Sequence, residues 1–325
     1  MDEFEDIRTF CAGERDAGKR LDAFLAEASG LSRSKIKKLI DDGFVTVNDG
    51  SGIKPSYPLS QGDIIGLTMP SALEPPNFLP ENLPLDIVYE DTRLLVVNKP
   101  ACMVVHPGRG NVTGTLASAL LHYCISLSGR GGEIRPGIVH RLDMNTSGLM
   151  VIALDDETHT LLSKMISERR MKRIYTAFVW GHPYPPSGTI DAPIGRHPRI
   201  RTLNAVVPDG RPAVTHYETT HRYSFLSQLK VTLQTGRTHQ IRVHMAHIGH
   251  HVFGDPSYGG REERLKGFDP EIRERARRLL KELNRQALHA GRLEFIHPFT
   301  GEELVFEAEL PEDMKRIKEK LDEEG

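Results

Sequence analysis

Apolar residues near the N-terminus recur at helical spacing. A first predicted helix carries its apolar stripe on Leu21, Phe24, Leu25 and Ala28. The stretch LSRSKIKKLIDDG predicts a second helix, capped by Ser32 and stopped by Gly43. Its apolar stripe is formed by Ile36, Leu39 and Ile40. The following FVTVN alternates apolar and polar positions, which predicts a strand.

Between about residues 83 and 310, short apolar runs alternate with helical segments. The predicted strands are DIVYED, LLVVNKP, GLMVIAL, RIYTAFVW, LSQLKVTLQ, RLEFIHP and ELVFEAEL. Because several connections between them are long, the pattern predicts a large mixed sheet flanked by helices.

A proline-rich segment separates these two regions. The stretch PSALEPPNFLPENLP, residues 70–84, holds five prolines and little periodic apolar pattern. It is typical of a linker. We therefore predict two folded domains, over residues 14–69 and 85–318.

Composition narrows the class of protein. With 325 residues and 38% hydrophobic content, the chain can bury a sizeable core. A net charge of −2 excludes a uniformly basic surface but permits a local basic patch. The three cysteines, Cys11, Cys102 and Cys124, contain no CxxC pair, which argues against a disulfide framework or a zinc ribbon. An acidic start and no long apolar run predict a cytoplasmic protein without a membrane partner.

Three ionisable residues interrupt an apolar stretch in PGIVHRLDMNTSGLMVIAL, residues 136–154. If the chain is extended there, Arg141 and Asp143 face one side and His140 the other. A carboxylate and a guanidinium would then border one cleft. The alternative is that Asp143 only caps the turn that follows it, which Asp often does.

A second charged residue stands beside an apolar helical stripe in LQTGRTHQIRVHMAHIGHHVFGDPSYG, residues 233–259. Thr238 can cap this helix and Gly249 can end it. Its apolar stripe is Ile241, Met245 and Ile248. Arg242 next to the stripe would need a carboxylate partner, because an unpaired buried charge is costly. Asp143 is the obvious candidate, although spacing alone leaves the pairing open.

Tyr175 in KRIYTAFVWG shares one face of a predicted strand with Ala177 and Val179. From the pattern alone it is either a core aromatic residue or a cleft residue, and the core is the more usual place for a strand tyrosine.

The second predicted helix carries basic residues and no acidic residue before Asp41. They are Arg33, Lys35, Lys37 and Lys38. Charge alone fits a solvated helix face as well as phosphate contact. However, KRLDAFL…SRSKIKKLIDDGFVTVN…GDII, over about residues 18–66, resembles the alpha-L RNA-binding module of a small-subunit ribosomal protein. The resemblance implies that these four residues contact RNA.

The C-terminal region resembles the RluA/RluD family of RNA pseudouridine synthases, among them the ribosomal enzymes with an N-terminal alpha-L module. The matching segments are PGIVHRLDMNTSGLMVIAL, RIYTAFVWG, GRPAVTHYE, TGRTHQIRVHM, GDPSYGG and RQALHAGRLEFIHPFTGE, in the family's order. The resemblance implies an α+β fold with a mixed, mainly antiparallel sheet, flanking helices and a central cleft. One departure is Cys102 in NKPACMVVHP, where a glycine is usual.

The same resemblance implies a reaction and its residues. The family isomerises uridine in RNA to pseudouridine, with no metal, nucleotide or redox cofactor. Asp143 would be the catalytic aspartate, paired with Arg242. Tyr175 would stack on a flipped uracil, its hydroxyl also placed to act as a general base at carbon 5, and Arg141 would fill the gap that the base leaves. The implied partner is large-subunit ribosomal RNA, with transfer RNA as the alternative substrate and a monomer as the expected state.

Further basic residues lie beside the matched motifs. SKMISERRMKRIY contains Lys164, Arg169, Arg170, Lys172 and Arg173, and GRHPRIR contains Arg196, Arg199 and Arg201. We expect these two clusters, together with Arg237 and His239, to hold RNA near the cleft. A merely solvated surface is the alternative for each residue.

Two other functions fit parts of the pattern. The pair His247 and His251 has a helical spacing that suits zinc, so a zinc hydrolase is a weak alternative. The absence of HExxH and the helix end predicted at Gly249 argue against it, and we expect the local histidines to lie on the helix surface or to face RNA. A non-catalytic RNA-binding protein is the other alternative.

Overall fold

A computed structural model of the chain describes residues 6–48, 50, 52–69, 79–107, 111–128, 137–200 and 202–323. The chain divides into two compact units, Met1–Pro75 and Pro76–Gly325. Most of the predicted linker, residues 70–78, lies outside the described residues.

The first unit packs two helices on a small sheet. Its elements are β1 (Asp6–Cys11), α1 (Leu21–Ser29), α2 (Arg33–Asp41), β2 (Val45–Val47) and β3 (Ile64–Met69). The strands are antiparallel in the order β1-β3-β2. The predicted helices and strand are present, because their apolar stripes meet in one core that includes Leu25, Ile36 and Leu67. Strand β1 begins at Asp6, upstream of the predicted start of the domain at residue 14, because it pairs with β3.

The second unit is built on a ten-stranded sheet. Its helices are α3 (Leu116–Ser128), α4 (Asp156–Ser167), α5 (Gln240–His247), α6 (Pro270–Glu282) and α7 (Glu312–Asp322). The strands of the unit are β4 (Ile87–Glu90), β5 (Leu94–Lys99), β6 (Gly137–Ile138), β7 (Ser147–Ala153), β8 (Lys172–Trp180), β9 (Ser187–Asp191), β10 (Ile194–Arg196), β11 (Asn204–Val206), β12 (Val214–Arg222), β13 (Leu226–Leu233), β14 (Leu288–Ile296) and β15 (Glu303–Glu307). Strands β10 and β11 pair with each other outside the ten-stranded sheet.

Strand β14 joins the two halves of this sheet. The main order is β4-β5-β7-β14-β8-β13-β12-β9, with β15 on β14 and β6 on β7. Strand β14 is parallel to β7 and antiparallel to β8, and the other pairs of the sheet are antiparallel. The prediction of a mixed, mainly antiparallel α+β fold is confirmed.

Strand β7 is buried along its whole length. Met150 and Ile152 pack into one core, whereas Leu149 and Val151 pack into a second core on the opposite face. A strand covered on both faces is apolar at successive positions, which explains the unbroken run in its sequence. In the described part of the chain, no helix is both long and apolar enough to cross a membrane.

Candidate active site

An open cleft of about 680 Å³ lies in the second unit. It is lined by the loop before β7, by β8, by the end of β13 and by the start of α5. All three predicted catalytic residues, Asp143, Tyr175 and Arg242, line this cleft.

Asp143 lies in the loop between β6 and β7. Strand pairing ends at Ile138 and resumes at Ser147. The backbone amide of Thr146 donates to the Asp143 carbonyl at 3.0 Å, which closes a turn. The carboxylate instead accepts a hydrogen bond from Arg242 Nη1 at 3.1 Å. The predicted pairing of the two side chains is therefore present.

Arg242 is held mainly by a residue that sequence reasoning missed. Asp255 is fully buried and accepts from Arg242 Nε at 2.6 Å and from Nη2 at 2.9 Å. Burial lowers the pKa of Arg242, but hydrogen bonds and charges from Asp255 and Asp143 outweigh burial and raise it. The guanidinium is therefore permanently charged. In the sequence, Asp255 could have been recognised as a carboxylate in the segment GDPSYGG, which follows Arg242 along the chain, because Arg242 needed an acidic partner.

Backbone and aromatic contacts fix the Asp255 end of this arrangement. The amides of Ser257 and Tyr258 donate to Asp255 at 2.8 and 3.1 Å. The Arg242 guanidinium carbon lies 4.9 Å from the centroid of the Tyr258 ring, within the range of a cation–π contact. Arg242 thus has a fixed direction from which it reaches Asp143.

Tyr175 occupies the middle of β8, opposite Val231 of β13. It is buried, belongs to the main core and also lines the cleft, so both interpretations of this residue hold. Burial raises the pKa of the Tyr175 phenol. Its hydroxyl is therefore protonated at neutral pH.

His239, predicted to contact RNA, lies against Asp143. Its Nε2 is 3.9 Å from Asp143 Oδ1, and its Nδ1 is 2.8 Å from the Tyr258 hydroxyl oxygen. Burial lowers the pKa of His239, so that the ring is neutral at pH 7. His239 also occupies the N-cap position of α5, with φ 60°, which makes the prediction of Thr238 as the cap wrong.

Lys99 lies fully buried behind the Asp143 turn and was also missed. Its ammonium donates to the carbonyls of Pro100, Met103 and Met144 at 2.7, 2.8 and 3.1 Å. Burial, together with the charge of Arg285, lowers the pKa of Lys99 to about 7. Since Met144 directly follows Asp143, Lys99 fixes the backbone that carries the carboxylate. The only sign in the sequence was a lysine ending an apolar run.

The basic residues of the first unit differ in their surroundings. Lys37 and Lys38 are exposed on α2. Arg33 is also exposed, but its Nη2 donates to the buried Asp22 at 3.0 Å, so this guanidinium is partly engaged within the unit. The side chain of Lys35 lies outside the described residues.

The basic residues of the second unit separate into exposed and buried groups. Arg141 is exposed and lines the cleft, as does the half-buried Arg237, which donates to the Pro212 carbonyl at 3.1 Å. Among the other predicted residues, Arg169 is exposed and lines the cleft, whereas Lys164, Arg170, Lys172, Arg196 and Arg199 are exposed away from the cleft lining. Arg170 pairs with Glu168 and Lys172 with Glu294. Arg201 lies outside the described residues.

Arg173, which we predicted to hold RNA near the cleft, is buried, unlike the other basic residues of its cluster. Only 7% of its surface is exposed, and its side chain lines the cleft. Alternation along β8 explains the difference, since Lys172 points to solvent and Arg173 points inward.

The local histidines do not form a metal site. His244 is fully buried and bonds Thr215 Oγ1 at 2.8 Å and the Ala192 carbonyl at 2.9 Å, so its predicted surface position is wrong. His251 bonds the Tyr258 carbonyl. Among the residues that the structure describes, no group of three or more His, Cys, Asp or Glu could hold a metal ion.

Comparisons with known proteins match both units. Residues 93–247 match the family described as RNA pseudouridylate synthase, and residues 19–65 match the S4 domain. The chain is 44% identical over 97% of its length to a Bacillus subtilis protein named an uncharacterized RNA pseudouridine synthase, of which 98% is covered. It is 44% identical over 95% of its length to ribosomal large subunit pseudouridine synthase D of Escherichia coli K12, of which 92% is covered.

A solved structure shows a similar fold. The human protein titled RNA pseudouridylate synthase domain containing 4 superposes with a TM-score of 0.56 at 24% identity, covering 73% of this chain and 92% of the human chain.

Proposed function

The chain belongs to the RNA pseudouridine synthase family, an isomerase family, and we propose that its substrate is large-subunit ribosomal RNA. The Escherichia coli relative named for the large ribosomal subunit matches it along nearly the whole chain. The S4 match and the exposed Lys37 and Lys38 on α2 support an RNA-contacting first unit.

The reaction requires access to a base that is normally stacked. Extruding one nucleotide costs a few kcal/mol, and less from a loop than from a helix. Arg141, exposed on the cleft, fills the space that the base vacates and offsets part of this cost. The uracil then stacks on the ring of Tyr175, which the strand holds in one orientation.

Asp143 carries the chemistry in this proposal. The bond between N1 of uracil and C1′ of ribose breaks, the base turns and C5 bonds to C1′. The Asp143 carboxylate, free again after this step, takes the proton from C5, and N1 gains a proton, so that the product is an isomer of the substrate. Attack on the sugar or base and removal of a sugar proton both require a carboxylate anion. Arg242 Nη1 donates to this carboxylate at 3.1 Å and holds it in place. Because its hydroxyl is protonated, Tyr175 serves as a stacking surface rather than as the resting base.

One observation carries the proposal. A loop carboxylate, a helix-borne guanidinium that is already bound on its other side, and a buried tyrosine all line one cleft. A carboxylate paired with an arginine beside an aromatic ring fits chemistry on an extruded base.

Chemical mapping of pseudouridine tests the substrate. Unmodified large-subunit ribosomal RNA and transfer RNA are incubated with the purified protein and mapped, and RNA from cells with and without the protein is mapped in parallel. We expect new pseudouridines in the ribosomal RNA and the loss of the same positions in cells lacking the protein. Modification of transfer RNA alone would contradict the ribosomal assignment.

A further inference from the structure

Arg173 is a buried cation without an anionic partner in the described chain. Its Nε is inaccessible and makes no hydrogen bond, and none of the described residues forms an ion pair with its guanidinium. The rest of the side chain reaches the cleft wall beside Tyr175.

The other buried arginines are paired. Arg242 is bound by Asp255 and Asp143, and Arg285 is bound by Asp313 at 2.6 and 2.7 Å. They are 5% and 4% exposed, close to the 7% of Arg173. An uncompensated buried charge is costly. We therefore expect a buried arginine without a partner in the chain to bind an anion from outside it.

The residues around Arg173 leave its charge unpaired and leave room for its guanidinium. Burial and the charge of Arg173 lower the pKa of His140 to about 3, so that this neighbour is neutral. A Cβ atom at Gly236 would lie 3.0 Å from Arg173 Nη1, so the glycine leaves room for the guanidinium. The carboxylate of Asp143, in the same cleft, is bound by Arg242.

Arg173 and Tyr175 share one face of β8. Residues two apart on a strand are separated by about 6.6 Å, similar to the distance from a nucleobase to its own phosphate. A uracil stacked on Tyr175 therefore brings its backbone within reach of Arg173. A guanidinium offers two parallel donors that match two phosphate oxygens.

We propose that Arg173 binds the 5′ phosphodiester of the extruded uridine. This inference rests on the proposed function. It assigns the anion to the reacting nucleotide itself, whereas Arg170, Lys172, Arg196 and Arg199 would contact the RNA outside the cleft. Arg173 thereby couples extrusion of the base to pairing of a buried charge.

The test combines a protein variant with a backbone substitution in the RNA. A synthetic hairpin contains the uridine identified by mapping, with either a natural 5′ phosphodiester or a neutral methylphosphonate at that linkage. Single-turnover isomerisation and binding are measured for the wild type, Arg173→Met and Arg173→Lys. Arg316→Met, which removes an exposed arginine on α7, is the control for loss of one charge.

We expect Arg173→Met and the neutral linkage each to slow isomerisation about tenfold to a hundredfold, and both together to slow it no further. Arg173→Lys should lose less of the isomerisation rate than Arg173→Met. Arg316→Met should behave like the wild type on both RNAs. Multiplied losses, or an unchanged rate with Arg173→Met, would overturn the inference.

Thermal unfolding separates this role from a structural one. Removing an unpaired buried cation should leave the melting temperature of Arg173→Met unchanged or raise it. A lower melting temperature, together with a wild-type isomerisation rate per folded molecule, would show that Arg173 only supports the fold. If mapping assigns no uridine to the wild type, the proposed function fails and this inference fails with it. If mapping succeeds and the losses multiply, only the phosphate contact is wrong.

Discussion

Asp255 binds Arg242 through two guanidinium nitrogens, and the remaining nitrogen reaches Asp143. The residue that faces the reaction is therefore oriented by a carboxylate that is fully buried and lies outside the cleft lining. From this relationship we predict that activity depends on the direction of the Arg242 side chain as well as on its charge.

Replacing Asp255 by Asn should test the direction of the Arg242 side chain separately from its charge. Breaking one partner of a buried ion pair costs about 3–5 kcal/mol of folding stability. A small displacement of Arg242 should also lower the isomerisation rate per folded molecule by about tenfold to a hundredfold. Both are measured by chemical denaturation and single-turnover assays. Asp91→Asn, which disrupts a carboxylate paired with His297, is the matched control and should lower stability alone. Equal rates for the two variants would contradict the orienting role.

Replacing Asp143 by Asn keeps the shape of the side chain but removes its charge. We expect isomerisation to fall by at least about a thousandfold, since no anion remains to act on the nucleoside. Binding of the same RNA should change only a few-fold, because phosphate contacts supply most of the affinity. Gel-shift and pseudouridine assays on one preparation measure both quantities. A variant that isomerises RNA at the wild-type rate would exclude Asp143 as the catalytic group.

The buried Lys99 should give the second unit a distinctive pH dependence. Its pKa of about 7 lies below the 10.5 of an exposed lysine, so the folded state binds fewer protons than the unfolded state between these values. The Lys99 contribution to the free energy of unfolding therefore rises with pH across that window and falls as pH drops through 7. Denaturation of the wild type and Lys99→Met from pH 6 to 10 should show a difference that grows with pH.

Lys99→Met should also be less stable than the wild type at pH 8 by about 1–3 kcal/mol, because the buried carbonyls around Lys99 lose their amine donor. A pH-independent difference between the two proteins would contradict the lowered pKa.

Cys102 has a backbone conformation that suits glycine. Its φ of 64° lies in the left-handed region. The family that this sequence resembles usually has glycine at this position. Cys102→Gly should stabilise the protein by about 0.5–1 kcal/mol and leave the isomerisation rate unchanged. Cys102→Ala keeps the Cβ atom and removes only the thiol, so it should show no such gain. If the alanine variant is stabilised equally, the thiol rather than the backbone is responsible.

Local patterns were sufficient for much of the secondary structure, and the resemblance to a known family supplied the candidate residues of the site. Periodicity placed α1, α2 and the main strands because an element that buries one face must repeat its apolar residues at that element's own period. The resemblance implied that Asp143, Tyr175 and Arg242 share a cleft, and the need of Arg242 for a carboxylate made Asp143 its candidate partner; the structure shows both the shared cleft and the contact. These inferences depend on residues that are near one another in the chain or on one strong electrostatic rule.

Burial and the choice among several possible partners were decided only by the tertiary structure. The sequence placed His244 on the helix surface or facing RNA and gave no sign that Arg173 is buried, yet packing of α5 and β8 encloses both. Asp255 and Lys99 became visible as supports of the cleft only when distant segments met. The environment of a side chain is the sum of contacts from many segments, and neighbouring residues in the chain carry little information about that sum.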